Sequence, residues 1–261
     1  MVQIIDINQQ NIDNFELFCK KTKKNLAGYQ NKVKWLKKRF KEGLKYKTLK
    51  VKEGNKETLR GMIEYIPGKY NWRGINAEGW MVIHCLWVVG KQKGKGYGSM
   101  LLEEAIKDAK TVGSFGVVGM STEKGGWLPN KKIYIKKGFE KVDEIEPYFS
   151  LYAKKITNNN NPLPKFNPIL EDKVKQYSKG ITILYSDQCP YIVDLVDELI
   201  EGCEGKENSI NAIKLNDCKE AQENGIYPYG TYCISCNGNI SLYQHKTKKE
   251  ILGLLNKSIK V

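Results

Sequence analysis

The chain reads as an α/β protein with a mixed central sheet flanked by helices, followed by a smaller second α/β domain. Three observations predict this. Residues 80–89 (WMVIHCLWVV) form an apolar run rich in aromatic and β-branched side chains, too short to cross a bilayer and suited to a buried central strand. The turn at residues 90–98 (GKQKGKGYG) runs into Gly98, Leu101, Leu102, Ala105, Ile106 and Ala109 at helical spacing, predicting a helix over residues 99–110 with one buried face. Residues 157–164 (TNNNNPLP) are polar and then proline-punctuated, and strand and helix patterns resume beyond Gly180.

In order, residues 1–7 alternate enough for an edge strand. Residues 12–24 and 27–41 read as helices, the second burying Val33, Leu36 and Phe40 beneath a lysine-rich solvated face. Residues 46–51 and 59–66 read as paired strands around the polar turn Glu53-Gly54-Asn55. Residues 67–79 form a loop carrying Tyr70, Trp72 and Arg73, more aromatic than a solvated connection needs. Along the central strand, alternation places Trp80, Val82, His84, Leu86 and Val88 on one face. Residues 114–120 are strand-like, and residues 130–142 (NKKIYIKKGFEKV) read as a helix closing on Gly138 before a further strand. Beyond the linker, strands at 181–185 and 212–215 alternate with helices at 191–201 and 219–224. A hairpin at 231–236 and 240–243 turns on Asn237-Gly238, and a helix over 246–257 closes the chain. The division is 1–156, a linker at 157–170, and 171–261.

The chain has 261 residues and a net charge of +14, enough length for two buried cores. Residues 1–160 carry 31 Lys and Arg against 16 Asp and Glu, a net +15, whereas residues 161–261 carry 12 against 13, a net −1. Positive potential therefore belongs to the first part, where it draws in anions. No nucleic-acid module accompanies that charge, and no apolar membrane span or leader is expected. The 7 cysteines are odd in number and irregularly spaced, which argues against a secreted disulfide framework and for a reducing cytoplasm. Cys233 and Cys236 form the one Cys-x-x-Cys, but on a strand they point to opposite faces, and no metal site is expected. His245 reads as surface polar.

The first turn of the helix after the glycine-rich segment points backbone N–H groups into a lysine-flanked loop, an anion site suited to phosphates. It lacks the Gly-Lys-Ser/Thr of a Walker loop and the G-x-G-x-x-G of a dinucleotide fingerprint. Lys93-Gly94-Lys95-Gly96-Tyr97-Gly98-Ser99-Met100-Leu101-Leu102 resembles instead the acetyl-coenzyme A (acetyl-CoA) pyrophosphate loop of the GNAT acetyltransferase superfamily, Q/R-x-x-G-x-G/A, with Lys93 in place of Gln or Arg. Residues 130–142 resemble that superfamily's second signature, and Tyr134 stands where it commonly has the tyrosine that protonates or hydrogen-bonds the departing thiolate. The frequent Asn seven residues earlier is here Trp127. The resemblance covers residues 1–155 and implies an acyl-CoA N-acyltransferase fold with acetyl-CoA as cosubstrate and a small-molecule or peptide amine as acceptor. It further implies that Leu86, Trp87 and Val88 pair with the pantetheine arm through their backbone.

Amine acetylation also needs a base. His84 is the candidate general base, or a core histidine, and Glu64 is the reserve, or else an exposed strand carboxylate or a member of a structural ion pair. The loop with Tyr70, Trp72 and Arg73 either lines the acceptor pocket or folds over the sheet edge. The order of elements after Gly180 is similar to a thioredoxin-like fold. Cys189-Pro190-Tyr191-Ile192 resembles the glutaredoxin Cys-Pro-Tyr-Cys with Ile192 in the second cysteine's place, and Pro228 falls at that fold's cis-proline. Together the halves resemble the YoaP-like group of acetyltransferases. The alternatives are a thiol redox protein using Cys189 and a non-catalytic acyl-CoA sensor.

Overall fold

The computed structural model describes residues 1–89, 94–123, 127–146, 148–158, 160–169, 171–203, 210–224 and 226–242. They divide into two compact units. The first gathers Met1–Lys21, Leu36–Asn71 and Ile75–Phe166, and the second gathers Thr22–Trp35, Trp72–Gly74 and Asn167–Val261.

In chain order the elements are β1 (Val2–Ile7), α1 (Ala27–Phe40), β2 (Lys45–Glu53), β3 (Lys56–Pro67), β4 (Ile75–Asn76), β5 (Met81–Val88) and α2 (Tyr97–Thr111). They continue as β6 (Gly116–Thr122), α3 (Lys131–Lys136), β7 (Glu140–Ile145), β8 (Phe149–Lys155) and β9 (Lys165–Phe166). Seven strands form one sheet in the order β1-β2-β3-β5-β6-β8-β7, with the apolar run at 80–89 supplying its central member. Every neighbouring pair is antiparallel except β5 and β6, which α2 joins as a parallel crossover. On α2, Leu101, Leu102, Ala105 and Ala109 are fully buried against Ile63, Tyr65, Met81, Ile83 and Leu86, as the helical spacing predicts. Each such leucine contributes about 1.5–3 kcal/mol.

Two expectations are corrected. Residues 12–24 are not a helix. Only Ile12–Asn14 form a short 3-10 turn, the backbone N–H of Phe18 donates to the Tyr46 hydroxyl at 3.1 Å, and Lys20 takes a left-handed φ of 54° that ends any helical path. The strict alternation along β5 also fails. Glu64 faces Cys85 while Tyr65 faces Ile83, so His84 is the extra residue of a β-bulge. The bulge reverses parity: Leu86 and Val88 join Met81 and Ile83 against α2, whereas the run Trp80, Val82, His84, Leu86, Val88 was expected to share one face.

The second unit contains α4 (Glu171–Lys175), β10 (Ile181–Tyr185), α5 (Pro190–Cys203), β11 (Ile210–Lys214), α6 (Cys218–Asn224), β12 (Tyr232–Cys236) and β13 (Asn239–Leu242). Its sheet has the order β11-β10-β12-β13, with β10 parallel to β11 and antiparallel to β12. The β12–β13 turn uses positive φ at both Asn237 (48°) and Gly238 (79°), the conformation that a two-residue hairpin needs. Trp72 and Arg73 are buried here. The Arg73 guanidinium donates to the Tyr229 carbonyl at 2.6 Å and to Thr231 Oγ1 at 3.3 Å, and lies 4.0 Å over the Tyr229 ring. Gly230 is required at its position, because a Cβ would come within 2.0 Å of the Trp72 carbonyl. Tyr243, His245 and the closing helix expected at 246–257 lie outside the described residues.

Candidate active site

β5 and β6 pair only through Met81–Val117, Val82–Val118 and Ile83–Gly119. Beyond that point β5 runs on to Val88 and β6 to Thr122 without pairing to each other, so the sheet opens into a fork at its centre. The β5 backbone from Leu86 to Val88 keeps its partners on β3, leaving its other edge, toward β6, open among the described residues.

The start of α2 stands at this fork. Gly96 is its N-cap with a left-handed φ of 82°, and among the described residues no side chain caps the first N–H groups. Among the described residues, a Cβ on Gly94 or Gly96 would meet nothing within 4 Å. Gly98 is the close-approach position: a Cβ would lie 2.7 Å from Ile133 Cδ1 on α3 and 3.8 Å from Val88 Cγ2 on β5. Tyr97 turns its side chain into the α2 core and offers the loop only its backbone, while Ser99 is half-buried. Lys95 is half exposed, with Nζ 4.0 Å from Glu53 Oε1. Lys93 lies outside the described residues.

Tyr134, on α3, is fully buried, stacked on Tyr152 at 5.8 Å and tilted against Phe139 at 5.4 Å. Its hydroxyl lies over Gly119, where a Cβ would come within 2.3 Å of it. Gly119 is the last residue of the β5–β6 pairing, so the phenol sits at the apex of the fork. A glycine inside a strand is a sequence-level sign of such close approach.

Glu64 and His84 come together on the face away from α2. Both side chains are fully buried, with Glu64 Oε1 3.6 Å from His84 Nδ1. Glu64 is thus not an exposed strand carboxylate but a buried partner of the histidine, the arrangement of a structural pair.

The acetyltransferase (GNAT) family profile matches residues 15–139. A Bacillus subtilis (strain 168) protein described as the uncharacterized N-acetyltransferase YoaP is 32% identical over 255 residues, which cover 97% of this chain and 98% of that one. The chain belongs to the acetyltransferase (GNAT) family. Solved structures similar to this GNAT enzyme include the PaiA N-acetyltransferase of Thermoplasma acidophilum in complex with coenzyme A (15% identity, 59% of this chain and 99% of that chain, TM-score 0.40). Another is the ribosomal-protein-alanine N-acetyltransferase of Brucella melitensis (15% identity, 59% and 99% covered, TM-score 0.41).

Around the GNAT fork, Ser121 Oγ donates to the Pro129 carbonyl at 2.8 Å, and Trp87 meets Trp127 edge-to-face at 5.8 Å. A cavity of about 720 Å³ opens against Phe139 and Tyr152, the rings on which Tyr134 packs. In the second unit Cys189 precedes α5 and is 9% exposed. The Gly28 N–H donates to Asp194 Oδ1 on α5 at 2.7 Å, and the Pro228 carbonyl accepts from Gly74 at 3.0 Å. Among the described residues no group of three His, Cys, Asp or Glu is placed to hold a metal ion, and no helix is long and apolar enough to cross a membrane.

Proposed function

We propose that this N-acetyltransferase moves the acetyl group of acetyl-CoA directly to an amine of a small molecule or peptide, with the β5–β6 fork as the place of transfer. The observation that carries the reading is the coincidence of three things: pairing that stops at Gly119, a buried phenol at that point, and a helix start at Gly96 beside it. Bound acetyl-CoA supplies an electrophilic thioester carbonyl and a thiolate leaving group. Backbone N–H groups from Gly94 to Ser99, with the Lys93 and Lys95 charges, hold the pyrophosphate. The open edge of Leu86, Trp87 and Val88 holds the pantetheine arm, and an N–H there polarises the carbonyl. His84 takes the ammonium proton, with Glu64 fixing the imidazole's orientation and offsetting the charge it acquires. Tyr134 gives its proton to the departing sulfur.

For residues 171–261 we propose a thioredoxin-like domain joined through a linker at 157–170, supported by the strand order and by Cys189 just before α5. A structural role for it suits the replacement of the second cysteine by Ile192. A reducing cytoplasm suits the free cysteines.

The test is a panel of primary amines with acetyl-CoA, scored by free thiol with the protein's own cysteines subtracted. Tyr134→Phe keeps the packed ring and removes the proton donor, and should lower kcat about 100-fold with the acetyl-CoA Kd little changed. Transfer that survives Tyr134→Phe but vanishes in Cys189→Ser would place the chemistry in the other unit.

A further inference from the structure

Two indoles meet across the fork. Trp87 stands on β5 beyond the last residue paired to β6, and Trp127 stands in the segment that the Ser121–Pro129 bond ties to the end of β6. Their centroids are 5.8 Å apart with planes at 88°, a favoured edge-to-face geometry in which either ring turns only by giving up the contact. The β5 bulge decides which side of the sheet they occupy. Leu86 and Val88 pack toward α2, so Trp87 projects from the opposite face, the face of Glu64 and His84. Trp87 is still 37% exposed, and Trp127 is half-buried.

We propose that the Trp87–Trp127 pair gauges acyl length, bounding the space into which an acyl group emerges from the fork and restricting the enzyme to acetyl and its nearest homologues. The inference rests on the proposed function. If the backbone of 86–88 holds the thioester, the Trp87 ring is the first side chain on the acceptor face that carbons beyond the carbonyl encounter. Trp127 braces it from the segment that follows β6. A rigid apolar wall separates ligands differing by methylenes by about 10- to 200-fold.

Calorimetric titration of the full chain with CoA, acetyl-CoA, butanoyl-CoA and hexanoyl-CoA reads the gauge without an acceptor, each acyl-CoA being expressed as a ratio to CoA. The wild type should bind hexanoyl-CoA at least tenfold more weakly than acetyl-CoA, Trp127→Ala should remove most of that difference, and Trp127→Phe should retain part of it. Equal wild-type affinities for the two, or a difference that Trp127→Ala leaves intact, overturns the inference, and the wild-type comparison stands even if a variant fails to fold. Failure of the wild type to bind CoA itself would instead remove the reading beneath it.

Discussion

Cys233 shows how burial alone sets a side chain's chemistry. It lies in β12 at 3% exposure, and desolvation pushes its thiol up to about 12, only partly relieved by a backbone hydrogen bond involving Leu184. At neutral pH the thiol therefore keeps its proton, whereas the thiolate is the nucleophilic form. The folded value exceeds the ordinary 9.0, so between about 9 and 12 the native state keeps a proton that the unfolded chain releases. Stability is therefore lost as pH rises through that window. Burial raises Tyr177 and Tyr232 in the same sense, with Cys233 adding to both. The urea midpoint should fall above pH 9 more steeply in the wild type than in Cys233→Ala, by up to about 1.4 kcal/mol per pH unit. Equal slopes in the two proteins would show that the thiol does not titrate late. The same burial keeps Cys233 out of a thiol-release assay unless the protein unfolds.

At the scale of elements, what holds α2 over the sheet holds its first turn at the fork. Lys47 on β2 places Nζ 2.8 Å from Glu104 and 3.0 Å from Asp108, and the Tyr65 hydroxyl donates to Asp108 at 2.6 Å. Burial pulls the Lys47 ammonium down, but the bonds to Glu104 and Asp108 prevail and hold it above its ordinary value. Lys47→Met leaves two neighbouring carboxylates on α2 uncompensated and should cost about 1–3 kcal/mol, with Tyr65→Phe costing about 1. Because the network fixes the axial position of α2, Lys47→Met should also weaken acetyl-CoA binding several-fold. A denaturation midpoint and a calorimetric Kd check both, and a Kd unmoved in a destabilised Lys47→Met would mean that the helix start is positioned by the leucines alone. The periodicity of Leu101, Leu102, Ala105 and Ala109 announced this helix and its buried face, but nothing in sequence links Lys47 to Asp108. The β5 strand was legible from its apolar run. Its bulge was not, because period-two reasoning assumes one residue opposite one residue, and the pairing of Glu64 with His84 depends on where that assumption fails. The helix expected at 12–24 failed for a related reason, since the Phe18 N–H is taken by a side chain 28 positions away.

For the whole molecule, charge is the property read most directly from composition, whereas the grouping of Thr22–Trp35 and Trp72–Gly74 with Asn167–Val261 has no compositional sign at all. The chain carries a net +14, made up of +15 on residues 1–160 and −1 on residues 161–261, so a polyanionic ligand approaches the first part through a field that attracts it. Only charges near the helix start survive screening, because the Debye length shrinks to about 10 Å at 0.1 M salt. Lys95 is half exposed and already shares Glu53 with Arg60, so its attraction is of the screened kind, whereas the N–H groups at the α2 start act at contact distance and are screened far less. Two parts of the affinity should therefore separate with salt. Raising sodium chloride from 25 to 300 mM should weaken acetyl-CoA binding by roughly 3- to 10-fold and then level off, the residual affinity being what the helix start and the fork supply. Dephospho-CoA, which lacks the 3′-phosphate, should show a shallower slope to a similar plateau. Calorimetry across that salt series makes the comparison, and an affinity that falls without levelling would mean that long-range charge, rather than the backbone at Gly94–Ser99, holds the ligand.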